Sequence, residues 1–347
     1  MNPQISSRYR SRAIADNVIG LCIGYQRENL LARGLGLEHL REMLLRLARP
    51  LLRQGASLAY GGGWKETEDN FTYELLRLIS TEQEDNSLGG PDTNLRIGRL
   101  YDHSAWPYYL EITPRLEAQW INCCRIVRVT QRDAGFNDDE LSPKPDPPDA
   151  AAKPTDRLLF NRAVALSAMR RRMLEPMNLD IPEAPPEFIP AVVARVALGG
   201  KVQGFTGFLP GILEEALTIL ERNRPLYLLG GFGGAAEVLA QAIVNPAANR
   251  PPELTVAWHE QNTADFKQLL QLSEQFRLPP PLPAIPAAFD QLWQFVEAAR
   301  NTPAAVLNTG LTDGETRELL TTRDVGAVVR LVRAGLTNQR QLPSLAA

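Results

Sequence analysis

Cysteine is scarce. Three residues in 347, Cys22, Cys123 and Cys124, cannot build a disulfide framework, and no C-x-x-C spacing offers a zinc or thiol redox site. Histidine is as rare: His39, His103 and His259 form no His-x-x-x-His pattern, so no metal is expected. The chain lacks any run of about 18 uncharged apolar residues, and its opening MNPQISSRYRSRAIADN has no apolar stretch of the secretory kind. A soluble, cytoplasmic protein without a membrane partner is the expectation. Excess positive charge is missing too. With 37 Lys and Arg against 40 Asp and Glu, a formal net of -3, no global field exists to hold a long nucleic acid.

Several catalytic signatures are absent as well. No G-x-G-x-x-G follows the first apolar run, no G-x-x-x-x-G-K-[ST] occurs, and there is no G-x-S-x-G. Dinucleotide-dependent hydride transfer, P-loop triphosphatase chemistry and a serine-centred triad are therefore disfavoured, and no cofactor is implied.

What remains is a chain with 44% apolar and 22% charged residues, long enough for one large domain with an appendage or for two. Strand-like runs at 18–25, 56–60, 124–130, 192–198 and 226–229 alternate with helix-like segments at 37–52, 70–79, 158–173, 211–220 and 235–244. That alternation predicts an α/β, Rossmann-like fold, a mainly parallel sheet sandwiched by helices. Residues 81–98 read as a loop, and 137–156, with its many prolines, as a mobile loop inside one sheet. The expected organisation is a ligand-binding domain over 1–250 and a mostly helical extension over 251–347, with a possible strand at 254–258.

Three glycine clusters lie between a strand end and a helix start: Gly61, Gly62 and Gly63; Gly199, Gly200, Gly207 and Gly211 around Pro210; and Gly230, Gly231, Gly233 and Gly234. In a parallel sheet such turns gather at the carboxyl edge, where glycine lets backbone approach a phosphate and helix N-termini aim N–H groups at it. Each cluster alone is also how an ordinary helix is turned back onto a sheet. Arg162, i-4 from Leu166 on the apolar seam of the 158–173 helix, could reach a phosphate or carboxylate or belong to a solvated basic face. Glu214 and Glu215 suit a helix N-terminus without any role, or meet ribose hydroxyls there. His103, among Tyr101, Trp106, Tyr108 and Tyr109, could line a base-stacking platform or a core cluster.

The ordered set Leu58-Ala-Tyr-Gly-Gly62 with Asn70-Phe-Thr72, Ala194 to Lys201, Gly207 to Glu215 and Pro225 to Ala235 resembles the SLOG superfamily, over roughly residues 15–250. SLOG proteins are Rossmann-like and include LOG-type phosphoribohydrolases and nucleotide-sensing modules of bacterial conflict systems, the branch this chain is most similar to. The resemblance implies a pocket for a nucleotide-derived signal of the ADP-ribose or cyclic nucleotide type, with Thr72 at its rim. Met169-Arg-Arg-Arg172-Met173 resembles the LOG M-x-x-R-K helix and Gly211-Ile-Leu-Glu-Glu215 the end of the LOG P-G-G-x-G-T-x-x-E turn, a resemblance that assigns Arg172 and Glu215 to catalysis if the chain is an enzyme. Met173 stands where lysine is usual, Ile212 stands where threonine is usual, and extra residues separate Gly200 from Pro210. A sensor in a bacterial defence system is thus expected ahead of a nucleotide N-glycosidase or a scaffold with an inactive pocket. Its expected partners are the small molecule, further copies of the chain and an effector protein.

Overall fold

The computed structural model describes residues 14–339 except 68–69, 89–96, 144–153, 182–183 and 248. Six strands form one sheet: β1 (Val18–Gly24), β2 (Ser57–Tyr60), β3 (Leu100–Ala105), β4 (Cys124–Val129), β7 (Val192–Gly199) and β8 (Leu226–Leu229). Their order is β4-β3-β2-β1-β7-β8, and every neighbour pair is parallel. A parallel sheet covered on both faces needs apolar residues at consecutive positions, not alternate ones. The sequence of β7, VVARVALG, satisfies this at every position except Arg195, and all eight residues are buried.

Helices α1 (Arg27–Leu31), α2 (Leu37–Arg53), α3 (Thr72–Leu88), α4 (Pro114–Trp120), α5 (Asp156–Arg172), α6 (Gly211–Glu221) and α7 (Gly234–Val244) connect the strands. In α2, Leu40, Met43, Leu44, Leu47 and Leu51 recur at helical spacing and are all buried, the stripe that docks it on the sheet. One core gathers residues of α5, α6 and α7 with Cys22 and Ala59 from the strands; the other gathers α2 and α3 with Ile19 and Leu58. The mainly parallel, helix-flanked architecture expected from the alternation is present.

Between α5 and β7 the chain makes a two-stranded antiparallel hairpin, β5 (Met177–Ile181) and β6 (Ala184–Ile189). Glu187 of β6 pairs with Arg99 at 2.9 Å and Arg125 at 2.6 Å. The sequence pattern predicts no strand over these residues. Residues 81–88, read as loop, continue α3, and half of the proline-rich segment, 144–153, lies outside the described residues.

Between 252 and 339 the chain is mostly helical, as expected: α8 (Val256–Asn262), α9 (Phe266–Gln275), α10 (Ile285–Ala299), α11 (Pro303–Val306), α12 (Asp313–Thr321) and α13 (Val325–Asn338). The possible strand at 254–258 is instead the start of α8, because Thr255 caps it by accepting from Trp258 N–H at 3.4 Å. The extension packs on both faces, with Leu292 and Val296 of α10 in the first core and Val328, Leu331 and Val332 of α13 in the second. It also covers the β8 edge: Leu226 N–H donates to the Leu307 carbonyl at 2.9 Å, and the Tyr227 hydroxyl to the Thr309 carbonyl at 3.0 Å. Among the described residues no helix is long and apolar enough to cross a membrane.

Candidate functional site

The chain steps outward from β1 to β4 and then returns to the other side of β1 to make β7 and β8. Connections on the two sides of β1 and β7 therefore diverge, and open α/β sheets carry their ligand crevice at the carboxyl end of such a reversal. A cleft of about 310 Å³ lies there, with Gly24 at the end of β1, Gly61 after β2, Gly200 after β7 and Gly211 at the start of α6 on its walls.

Close backbone approach explains the glycines at its base. A Cβ on Gly24 would lie 2.9 Å from the Gly200 Cα, and Gly200 N–H donates to the Gly24 carbonyl at 2.9 Å. Gly199 and Gly200 hold φ of 66° and 92°, where a side chain is strained, and a Cβ on Gly200 would overlap Ile212. The ends of β1 and β7 are thus drawn together, and α6 begins directly above them. Pro210 is its N-cap and offers no side-chain acceptor, so no side chain caps the first turn of α6, whose Gly211 and Ile212 line the cleft.

A charged cluster forms the floor. Arg170, on the buried stripe of α5, pairs with Glu214, and its Nε lies 3.7 Å from Glu215 Oε1. Burial opposes the Arg170 charge, but Glu214 and Glu215 outweigh it and raise the guanidinium above its ordinary range. Arg195 of β7 is fully buried and donates to the carbonyls of Glu215 at 2.9 Å and Arg170 at 2.8 Å, and to Thr218 Oγ1 at 2.9 Å. It ties α5 to α6 across the sheet. Gly20, its register partner on β1, leaves room for it, since a Cβ there would lie 3.0 Å from Arg195 Cγ. Cys22 shares this floor; burial first, and then the neighbouring Glu215, push its thiol well up, which favours the neutral form over the reactive thiolate.

The turn after β2 is held from below. Asp102, fully buried on β3, accepts from Trp64 Nε1 at 2.7 Å, while its second oxygen has no hydrogen-bond partner among the described residues. Burial pushes its carboxyl up to about 7, against the hydrogen bonds of Trp64 and the Gly62 backbone. Thr72 Oγ1 donates to the Gly63 carbonyl at 2.9 Å, and Asn70 Nδ2 donates to the same oxygen at 2.7 Å. Thr72 therefore fastens the turn, and Gly62 is needed because a Cβ would overlap the Tyr60 ring and Thr72 Oγ1. Gly63 faces open space.

Of the residues expected to act, Gly61, Gly200, Gly211 and Glu215 line the cleft; Glu214, Pro210 and Gly207 stand behind them, the last with its Cβ position 3.6 Å from Arg170. The third glycine turn does not join them. A Cβ on Gly230 would overlap Ala240 and the Leu320 carbonyl, one on Gly231 the Thr322 carbonyl, and one on Gly234 the Gly200 carbonyl. Gly233 holds φ of 80° beside Arg33. Arg162 stands about 12 Å along α5 from Arg170, and Arg172 is exposed, 3.9 Å from Glu175.

Arg170 is thus the arginine that enters, two positions before the one the motif selected. The buried stripe Phe160, Ala163, Ser167, Arg170 carries it inward, a spacing legible in the sequence. The aromatic residues of the cleft are Tyr25, Tyr60 and Phe205, whereas Tyr101, Trp106 and His103 are buried, the two aromatics in the first core. Burial lowers His103 to about 4. Among the described residues no group of three His, Cys, Asp or Glu side chains could hold a metal ion.

A family model described as SLOG cluster2 matches residues 13–319. No curated protein matches the chain.

Proposed function

We propose, for a chain that belongs to the SLOG cluster2 family, that the cleft at the β1/β7 reversal binds a nucleotide-derived signal and returns it unchanged. The observation that carries this reading is the convergence of Gly24, Gly61, Gly200 and Gly211 with Glu215 on one opening. In this reading the N–H groups at the start of α6 take phosphate oxygens, Glu215 accepts from ribose hydroxyls, and Tyr25, Tyr60 and Phe205 offer ring faces to a base. The carboxylates of the floor are already matched by Arg170, which suits binding more than proton transfer. A role in bacterial defence and assembly into homo-oligomers with an effector protein belong to the same proposal.

Titration calorimetry with ADP-ribose, NAD, AMP and cyclic dinucleotides should find a binder that chromatography recovers intact. Glu215→Gln should weaken it about tenfold, the size of one hydrogen bond to a charged group. If no compound of this set binds, the reading fails. A second reading, nucleotide N-glycosidase, draws on the same Glu215, which reaches the cleft where an oxocarbenium-like transition state would form. Release of free base that vanishes in Glu215→Gln would favour it over the sensor.

A further inference from the structure

The connection from β7 to α6, residues 200–210, contains no helix or strand, and Gly200, Gly204 and Gly207 in it hold φ of 92°, 64° and 146°. It is pinned at its base by Gly200 to Gly24, and beyond that by Val202 N–H donating to Gln26 Oε1 at 3.1 Å. Phe208 holds its far end against Phe160, ring centroids 5.9 Å apart. Between these points stands Phe205, which lines the cleft. Phe205 also meets His259 of α8 edge-on, at 5.2 Å and 88°, and Phe266 of α9 at 6.1 Å.

His259 is fully buried at the centre of a ring cluster. Trp258, Phe266 and Phe289 lie 5.0, 5.4 and 5.2 Å from it by ring centroid. Its Nε2 lies 2.9 Å from the Glu253 carbonyl, which can only accept, so Nε2 carries the proton. Burial lowers its pKa to about 4, so the ring is neutral and packs as an aromatic. The tip of the cleft's glycine-rich roof is therefore seated in rings supplied by α8, α9 and α10.

We propose that Phe205 couples the cleft to these C-terminal helices, so that a molecule pressing on Phe205 tightens the His259 cluster, and loosening the cluster frees the roof. The extension is then the element through which cleft occupancy is read out. That last role rests on the ligand reading above, whereas the coupling rests on ring geometry alone. Both sides share one packed side chain, the kind of contiguous contact through which coupling between two regions travels.

Hydrogen exchange of the full chain tests it. Phe205→Leu keeps an apolar side chain but removes the ring edge, and amides of 256–266 should exchange roughly two- to tenfold faster, the range of one aromatic edge contact. Phe266→Leu should raise exchange over 201–206 by a similar factor. Amides of β7 should stay protected in both variants, the sign that the sheet is intact. Unchanged exchange over 256–266 in Phe205→Leu, with β7 protected, overturns the coupling, and a loss of β7 protection in that variant leaves the decision to Phe266→Leu. With ADP-ribose added, protection of 201–206 and 256–266 should rise together, and protection of the first segment alone overturns the read-out. ADP-ribose that protects neither segment counts against the nucleotide reading, while the two variants still decide the coupling.

Discussion

The turns after β7 and after β8 share a sequence signature, adjacent glycines between a buried strand and a helix. The first borders a cleft with Glu215 and Arg170 at its floor, and the second is filled by the chain itself, by Ala240 and the carbonyls of Leu320 and Thr322. Both need glycine for the same physical reason: something comes closer than a Cβ permits. At both turns that something is the protein's own chain: Gly24 and Ile212 crowd the β7 turn, while Ala240 and carbonyls about 90 positions further along crowd the β8 turn. Glycine after a strand thus marks close approach without saying what approaches.

Breaking the charged floor of the open side should have the largest effect. Arg170→Met leaves Glu214 and Glu215 without this cation in a buried setting, and removing one partner of a buried pair costs about 3–5 kcal/mol. Urea denaturation at neutral pH measures it, and a loss below about 1 kcal/mol would mean that the floor is solvated and exerts little hold.

The turn above Asp102 should be titratable. The folded state keeps a proton on Asp102 up to about pH 7, whereas an unfolded aspartate loses it near pH 4. Stability from this group is therefore full below about 4 and is lost as pH rises to about 7. His103 and His259, both lowered to about 4 by burial, slope the other way: their contribution is present above about 6.5 and is lost as pH falls. Asp102→Asn removes the first slope alone, so its stability relative to the parent should rise by about 3–4 kcal/mol between pH 4 and pH 7. Parallel profiles for the two proteins would show that Asp102 is ionised throughout.

The smallest effects separate the two kinds of glycine directly. Gly230→Ala should cost about 2 kcal/mol because neither Ala240 nor the Leu320 backbone can yield cheaply. Gly63→Ala, which meets nothing within 4 Å, should change stability by less than about 0.5 kcal/mol. Equal costs at the two positions would erase the contrast between a filled and an open turn.

Much of the fold was legible. The five strand-like runs match β1, β2, β4, β7 and β8, since consecutive apolar residues bounded by glycine have few other uses in a chain of this composition. Strand β3, LYDHSA, hid because half its residues are polar, and Asp102, His103 and Ser104 are buried there by its place inside the sheet. The hairpin of β5 and β6 hid behind its prolines. In the site, Gly61, Gly200 and Gly211, expected from the glycine turns, and Glu215, expected from the motif, line the cleft, whereas the buried stripe of α5 carries Arg170 inward and leaves Arg172, the arginine of the motif, exposed.

Apolar runs, helical stripes and glycine turns determined by themselves that this chain makes a helix-covered parallel sheet, because local pattern dictates which surfaces must leave water. Strand order, the choice of arginine and the fate of each glycine turn were decided only in three dimensions. Those outcomes depend on where Arg195, Phe205 and the carbonyls of 320–322 arrive from distant parts of the chain, and no local window of sequence contains that information.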